Sequence, residues 1–152
     1  MTLSFQFLAF DELTTHQLYD YLRLRSEVFV VEQNCVYQDL DNLDQIAHHV
    51  LVYEFNTLIG CARIIPAGQA YKEISIGRVI VAKEQRKKDI GIELMKFCIE
   101  QMNKNFGPQS IVLSAQAHLQ EFYKKHNFVA VGEIYLEDGI PHIHMIRQKQ
   151  FK

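Results

Sequence analysis

The order of apolar patterns predicts a mixed α/β fold, a sheet flanked by helices, instead of the regular βαβ series of a dinucleotide-binding Rossmann domain. Three observations carry this. The chain opens on alternating apolar positions, a long three- and four-residue apolar repeat begins at Ile90, and between Ile76 and Met95 a strand feeds a basic loop that opens a helix. With 152 residues, 48% of them hydrophobic, the chain suffices for a single globular domain over residues 1–152. Such a domain buries roughly 70% of its unfolded surface.

Leu3, Phe5, Phe7 and Ala9 alternate with Ser4, Gln6, Leu8 and Phe10, which predicts a first strand ending at Asp11-Glu12. Thr14 or Thr15 then caps a helix in which Leu18, Tyr21, Leu22, Arg25, Val28 and Phe29 share one face. Arg25 sits inside that apolar stripe. An unpaired buried guanidinium is too costly to keep, so Arg25 needs a partner among Glu32, Asp39, Asp41 or Asp44, or a substrate.

Asn34 to Gln45 carries turn-forming residues without periodicity and reads as a loop. Its run Asp39-Leu40-Asp41-Asn42-Leu43-Asp44 lacks the central glycine and distal glutamate of a calcium loop. A solvated acidic loop is the expectation, and beside an acceptor site it would favour a cationic amine.

His49 to Glu54 and Leu58 to Ile65 form a hairpin across Phe55-Asn56-Thr57; Pro66-Ala67-Gly68 breaks the second run and Glu73 to Val81 supplies the next strand. Ile90, Leu94, Met95, Cys98, Ile99, Met102 and Phe106 then mark an amphipathic helix that Gly107-Pro108 stops. Ser110 to Leu113 is a short buried strand, and Leu119, Phe122 and Tyr123 mark a brief helix ending near Asn127. Phe128 to Tyr135 and His142 to Arg147 are two final strands around Asp138-Gly139.

Formal net charge is −2, with basic and acidic residues interleaved, so no phosphate-backbone footprint for nucleic acid is present. Cys35, Cys61 and Cys98 lack the paired close spacing of zinc or redox motifs and read as buried thiols in a reducing compartment. His48-His49 and His142-Ile143-His144, the last pair sharing one strand face, offer imidazoles for a metal. The favoured reading is a single His, His142 or His118, lining an acceptor pocket with the others exposed or hydrogen-bonded, so no metal is expected. No signal-like segment opens the chain and no apolar run approaches the ~18 residues of a membrane span, so a soluble, cytoplasmic protein is expected.

The loop Gln85-Arg86-Lys87-Lys88-Asp89-Ile90-Gly91 holds chemistry of its own. The first amides of a helix lack intrahelical partners and the dipole there carries about half a positive charge, so an anion such as a phosphate is the natural occupant.

Two segments, Arg78-Val79-Ile80-Val81 with that loop and Gln116-Ala117-His118-Leu119-Gln120-Glu121-Phe122-Tyr123 leading to Asn127-Phe128, resemble the GNAT-type N-acetyltransferases. Leu24-Arg25 through Val28-Phe29-Val30-Val31-Glu32-Gln33, Tyr37-Gln38-Asp39, and Glu137-Asp138-Gly139-Ile140-Pro141-His142 are similar to the ElaA-type branch. The resemblance covers nearly the whole chain. It implies a GNAT-like splayed, mostly antiparallel mixed sheet of about seven strands with helices on both faces, and a crevice for acetyl-CoA beyond Val81. Val79, Ile80 and Val81 would pair with the pantetheine arm, with Gln116 and Tyr123 nearby. Arg86, Lys87, Lys88, Asp89, Ile90, Gly91 and Ile92 would cradle the pyrophosphate.

The family loop usually reads Arg-x-x-Gly-x-Gly, whereas Asp89 replaces the first glycine here. Aspartate visits positive φ less freely than glycine and repels a nearby phosphate, which predicts weaker cofactor binding. Asn127 stands where glycine is commoner before Phe, and Asn tolerates the left-handed conformation.

The resemblance also implies direct acetyl transfer to a primary amine of a small molecule or peptide. Tyr123 would serve the departing thiolate as acid, since a phenol near ~10 can donate to a thiolate whose thiol lies near ~8.5. Glu32, His118, His142 or an ordered water chain would take the ammonium proton, and amides near Ile80 and Val81 would hold the oxyanion. Arg25, Phe29, Glu32, Gln33, Asp39, Arg78 and His142 would line the acceptor side. Two alternatives stay open. Asp89 and the unassigned base suit an acyl-CoA-binding sensor module. Arg25, Phe29 and the Asp39 to Asp41 region resemble acyl-homoserine-lactone synthases, though short length and the absence of tryptophan oppose that. Either a monomer or a homodimer is compatible with the chain.

Overall fold

The computed structural model describes residues 2–86 and 88–150. Seven strands form one sheet: β1 (Leu3–Ala9), β2 (His48–Glu54), β3 (Thr57–Ile65), β4 (Ile74–Val81), β5 (Ile111–Gln116), β6 (Val129–Glu137) and β7 (Ile140–Arg147). Their spatial order is β1-β2-β3-β4-β5-β7-β6. Every neighbouring pair is antiparallel except β4 with β5. Three helices accompany them: α1 (Thr15–Ser26), α2 (Ile90–Phe106) and α3 (Gln120–Lys124).

Alternation along the strands feeds a helix on each face, because successive side chains point to opposite sides. Val50 and Val52 of β2, with Ala62 and Ile64 of β3, join Leu94, Met95, Cys98 and Met102 of α2 in the larger core. Leu51 and Cys61, one residue out of phase, meet Tyr21 and Leu24 of α1 and Val28 beyond it. Thr14 caps α1, its hydroxyl accepting from the Gln17 amide while Gln17 Oε1 accepts from the Thr14 amide. The chain continues past Ser26 as a π-helical turn over Glu27–Glu32, which is how Val28 and Phe29 stay near the same stripe.

The parallel join is short. β4 and β5 pair only at Ile74↔Ile111 and Ser75↔Val112, after which β4 follows β3 to Val81 and β5 follows β7 to Gln116. The sheet is therefore split from Ile76 onward. β5 extends three residues beyond the apolar run read from sequence, because pairing with β7 fixes Ser114, Ala115 and Gln116 as strand through long-range hydrogen bonds.

On the arm β5-β7-β6, Leu113, Ala115, Ile143 and Met145 face the core, so Ser114, Gln116, His142 and His144 face the other way. β6 is the outer edge and exposes Val129, Val131, Ile134 and Leu136. A bulge at Gly132, with φ +80°, sets Tyr135 opposite His142.

Candidate active site

Two cavities meet where the sheet splits. The first, of about 570 Å³, runs from the open end of β4 to the start of α2. Val79, Ile80 and Val81 form one wall, with Arg86, Asp89, Ile90, Gly91 and Ile92 at the far end and Gln116 and Tyr123 across from them. Lys88 does not line this cavity, and its Nζ donates to Gln85 Oε1 at 3.1 Å. Lys87 lies outside the described residues.

Asp89 adopts φ 60° and ψ 15°, the left-handed conformation that glycine supplies most cheaply, and its side chain makes no capping hydrogen bond to α2. Gly91 eases packing of a different kind: a Cβ there would sit 3.3 Å from two Phe122 ring atoms, so the glycine lets the first turn of α2 lie close against α3. Asn127 also takes a left-handed φ, of 70°. Arg86 is already engaged. Its guanidinium grips Glu32 at 2.7 and 3.0 Å, and Nε donates to the Val81 carbonyl at 3.0 Å.

The second cavity, of about 510 Å³, lies between the loop after the π-helical turn and the polar face of the β5-β7-β6 arm. Gln33, Cys35 and Asp41 line one side, Ser114, Glu137 and His142 the other. Six residues belong to both cavities: Phe29, Gln33, Val79, Gln116, Leu119 and Tyr123. Burial pushes the Tyr123 phenol up, with the Cys98 thiol beside it adding to the effect, so Tyr123 is a donor at neutral pH.

Behind the second cavity stands a charged wall. Arg25 is fully buried and pairs with Asp39 at 2.9 Å and Asp44 at 2.7 Å. Arg63 pairs with Asp41 at 2.7 Å and Asp44 at 3.1 Å, while Arg78 pairs with Asp39 at 2.7 Å and Asp41 at 3.5 Å. Burial alone would raise the Asp41 carboxyl, but the hydrogen bonds and charge of Arg63, with the Leu43 amide and Arg78, hold it down at about 2. Asp44 is lowered against the same burial effect by Arg25 and Arg63. His49 completes the wall, its Nε2–H donating to the Asp44 carbonyl and its Nδ1 accepting from Tyr21. Burial depresses it to about 4, so it stays neutral.

These contacts correct two expectations about the acceptor side. Arg25 and Asp39 line neither cavity, because their charged groups are consumed in the wall. The carboxylates of the acidic loop are likewise not free in solvent: three arginines match its three aspartates, so it leaves no net charge for an amine. Acidity at the second cavity comes instead from Glu137 and Asp138.

The remaining candidates divide by cavity. Phe29 and Gln33 stand at the junction, Arg78 and His142 line the second cavity, and Glu32 and His118 line the first. Among the described residues no group of three or more His, Cys, Asp or Glu is placed to hold a metal ion. No described helix is long and apolar enough to cross a membrane.

Sequence reasoning missed Phe122, Lys125, Ser114, Tyr71 and the cavity role of Glu137. The polar alternation Ser114, Gln116 across from His142, His144 was the signal available for part of this set. It becomes informative only once β5 and β7 are known to pair.

The acetyltransferase (GNAT) domain model matches residues 12–149. The chain belongs to the GNAT family. Among its GNAT relatives is protein ElaA of Escherichia coli, 42% identical over 96% of this chain and 97% of that one. The crystal structure of Escherichia coli ElaA superposes with a TM-score of 0.91 at 41% identity, covering 97% of this chain and 100% of that one. An acyl-CoA N-acyltransferase from Pseudomonas aeruginosa has the same TM-score of 0.91 at 38% identity, covering 96% and 99%. An aminoglycoside 6'-N-acetyltransferase complexed with coenzyme A shares the GNAT fold, with a TM-score of 0.72 at 17% identity over 97% of each chain. The splayed, mostly antiparallel seven-stranded sheet is thus the GNAT acyltransferase fold.

Proposed function

We propose that this protein transfers an acetyl group from acetyl-CoA to a primary amine of a small molecule or peptide, both substrates being bound at once. The observation that carries the proposal is the junction of the two cavities at six residues that include Tyr123. A thioester reaching through the first cavity and an amine entering the second would meet there. Acetyl-CoA supplies an activated acyl carbon and a thiolate leaving group; the remaining chemistry belongs to the chain.

The residues of the first cavity suit such a ligand. The side of β4 that β5 leaves after Ser75 has no neighbouring strand, which suits an amide-bearing arm, and the uncapped N-terminus of α2 suits a pyrophosphate. Arg86 would exchange Glu32 for phosphate oxygens. Asp89 opposes the anion through charge while supplying the backbone turn it needs.

The amine nitrogen forms a bond to the acyl carbon as the carbon–sulfur bond breaks. Amides near Ile80 and Val81 hold the developing oxyanion, and Tyr123 gives its proton to the departing sulfur; the proton that nitrogen sheds as it becomes an amide restores the phenol. The ammonium must first lose a proton on the acceptor side. Of the three side chains considered for this, only His142 lines the second cavity, whereas His118 and Glu32 line the first. We therefore assign the base to His142.

The test is a panel of primary amines assayed for released CoA and for acetylated product, repeated with Tyr123→Phe. Turnover on some amine is expected, with the variant slowed by on the order of a hundredfold while its acetyl-CoA affinity holds within about twofold. Undiminished turnover removes Tyr123 as the acid. Tight acyl-CoA binding with no thiol release across the panel would instead support a binding module.

A further inference from the structure

Arg86 already has an anion in its grasp, and this inference rests on the acyl-CoA reading of the first cavity given above. Its Nη1 donates to Glu32 Oε2 at 2.7 Å and its Nη2 to Glu32 Oε1 at 3.0 Å, a bidentate pair. Nε donates to the Val81 carbonyl at 3.0 Å, which ties the side chain to the open end of β4. A carboxylate and a phosphate present the same kind of paired oxygens to an arginine fork. The geometry points to Glu32 as an internal stand-in for phosphate: it holds Arg86 until the pyrophosphate of CoA takes its place, and it reclaims Arg86 as CoA leaves.

The local fold brings the two side chains together from 54 residues apart. Glu32 ends the π-helical turn Glu27–Glu32, in a stretch whose Phe29 and Gln33 belong to both cavities. Arg86 follows the single 3-10 turn Lys83–Gln85 that leads out of β4, and its extended backbone sends the chain on toward α2. Both residues line the first cavity, Arg86 at the end where the helix begins.

The two anions exclude one another at this arginine. A guanidinium carries five N–H donors, and a two-bond contact needs a neighbouring pair of them. Glu32 takes the pair formed by Nη1 and Nη2, while the Val81 carbonyl takes Nε and so spoils the other. Of these partners the carbonyl is main chain at a strand end, whereas the Glu32 side chain is 28% exposed and can turn to water. No second arginine substitutes: among the described residues Arg86 alone of its kind lines this cavity, and Arg25, Arg63 and Arg78 are committed to the aspartate wall. Asp89 opposes the ligand through charge; Glu32 opposes it by occupying the donor.

The exchange serves release. CoA keeps after transfer every phosphate that acetyl-CoA carried before it, so contacts to those phosphates hold donor and product alike and add nothing to the chemical step. A carboxylate that re-engages Arg86 replaces the lost phosphate contact as CoA departs, which weakens binding and speeds dissociation, the step that limits many enzymes of this kind. Glu32 thereby has a task separate from proton transfer, in keeping with its place in the first cavity.

The experiment measures CoA binding by calorimetry and CoA dissociation by stopped flow for wild type, Glu32→Gln, Glu32→Ala, Arg86→Gln and the Glu32→Gln/Arg86→Gln double variant. Thermal melts establish that each is folded, and pantetheine, which lacks the phosphates, is the control ligand. Glu32→Gln and Glu32→Ala are expected to bind CoA about threefold to tenfold tighter, because the ligand no longer displaces a bidentate partner. The gain should be read mostly as slower dissociation. Pantetheine affinity should stay within about twofold of wild type. Arg86→Gln should weaken CoA binding by about tenfold, and in that background Glu32→Gln should gain less than about twofold.

CoA affinity that is unchanged or weaker in folded Glu32→Gln and Glu32→Ala overturns the inference. An equal gain with and without Arg86 also overturns it, since that reports removal of a nearby negative charge and not exchange at the guanidinium. The outcomes also separate this inference from the transfer reading. Tighter, Arg86-dependent CoA binding in a protein that acetylates no amine upholds the exchange and defeats acetyl transfer. An active enzyme whose Glu32 variants bind CoA as wild type does defeats the exchange alone. CoA binding by none of the five proteins defeats both.

Discussion

Replacing Asp89 by glycine separates two opposing effects of one residue. The left-handed backbone at φ 60° costs an L-residue about 1–2 kcal/mol, with aspartate near the low end, and glycine removes that cost. Because Asp89 forms no capping hydrogen bond, the helix loses only a favourable charge–dipole interaction of about 0.3–1 kcal/mol. These nearly cancel. Asp89→Gly is expected to leave the unfolding free energy within about 1 kcal/mol of wild type. Affinity responds differently, since a carboxylate about 6 Å from one phosphate repels it by about 0.7 kcal/mol in water and more in a cleft. Asp89 is exposed, which keeps the effect near the aqueous limit, so CoA should bind about threefold to tenfold tighter. Calorimetry at low and high salt reads this directly, and the advantage should shrink as salt screens it. Unchanged or weaker binding by a folded Asp89→Gly protein would show that this loop does not face phosphate.

Other outcomes follow from the same structure. Arg25→Met leaves Asp39 to Arg78 alone and Asp44 to Arg63 alone, so three aspartates share two arginines, and the uncompensated buried charge should cost about 3–5 kcal/mol and lower Tm by roughly 10 °C in a thermal melt; a loss under about 1 kcal/mol would mean the wall is not a stabilising unit. The Asp41 carboxyl is held at about 2 against an ordinary 3.8, so its contribution is complete above 3.8 and disappears as pH falls through about 2. Urea midpoints across that window should record a loss of about 2 kcal/mol or less, since the side chain is 29% exposed, and Asp41→Asn should flatten the change. Gly91→Ala pushes a methyl to 3.3 Å from the Phe122 ring, so CoA affinity should fall several-fold with little net change in urea midpoint, because Ala favours the helix by up to ~1 kcal/mol.

Local patterns made most elements legible. The Thr14 cap, the α2 repeat and its Gly107 stop are encoded within a few residues of where they act. The start of α2 just after the basic run was legible for the same reason, since the switch from strand to helix is a local signal. What stayed hidden depends on residues far apart in the chain. Glu137 meets His142 through a hairpin whose register a bulge resets, and Arg63 meets Asp41 across the sheet. The apolar stripe announced that Arg25 needed partners, yet only the fold shows that Asp39 and Asp44 satisfy it and exclude it from either cavity. Asp89 shows the reverse relation: its departure from glycine was plain in sequence, while the fact that it keeps the glycine-like turn was not.

The split between β4 and β5 leaves the sheet one strand short along its middle. A ligand arm lying there would complete it using peptide groups that every non-proline residue carries, whatever its side chain. That part of recognition would be invisible to an alanine scan and tolerant of drift at Val79, Ile80 and Val81, provided the strand keeps its path. Amide hydrogen exchange is the measurement suited to it: ligand should slow exchange along 76–81 even in variants whose charged loop has been altered.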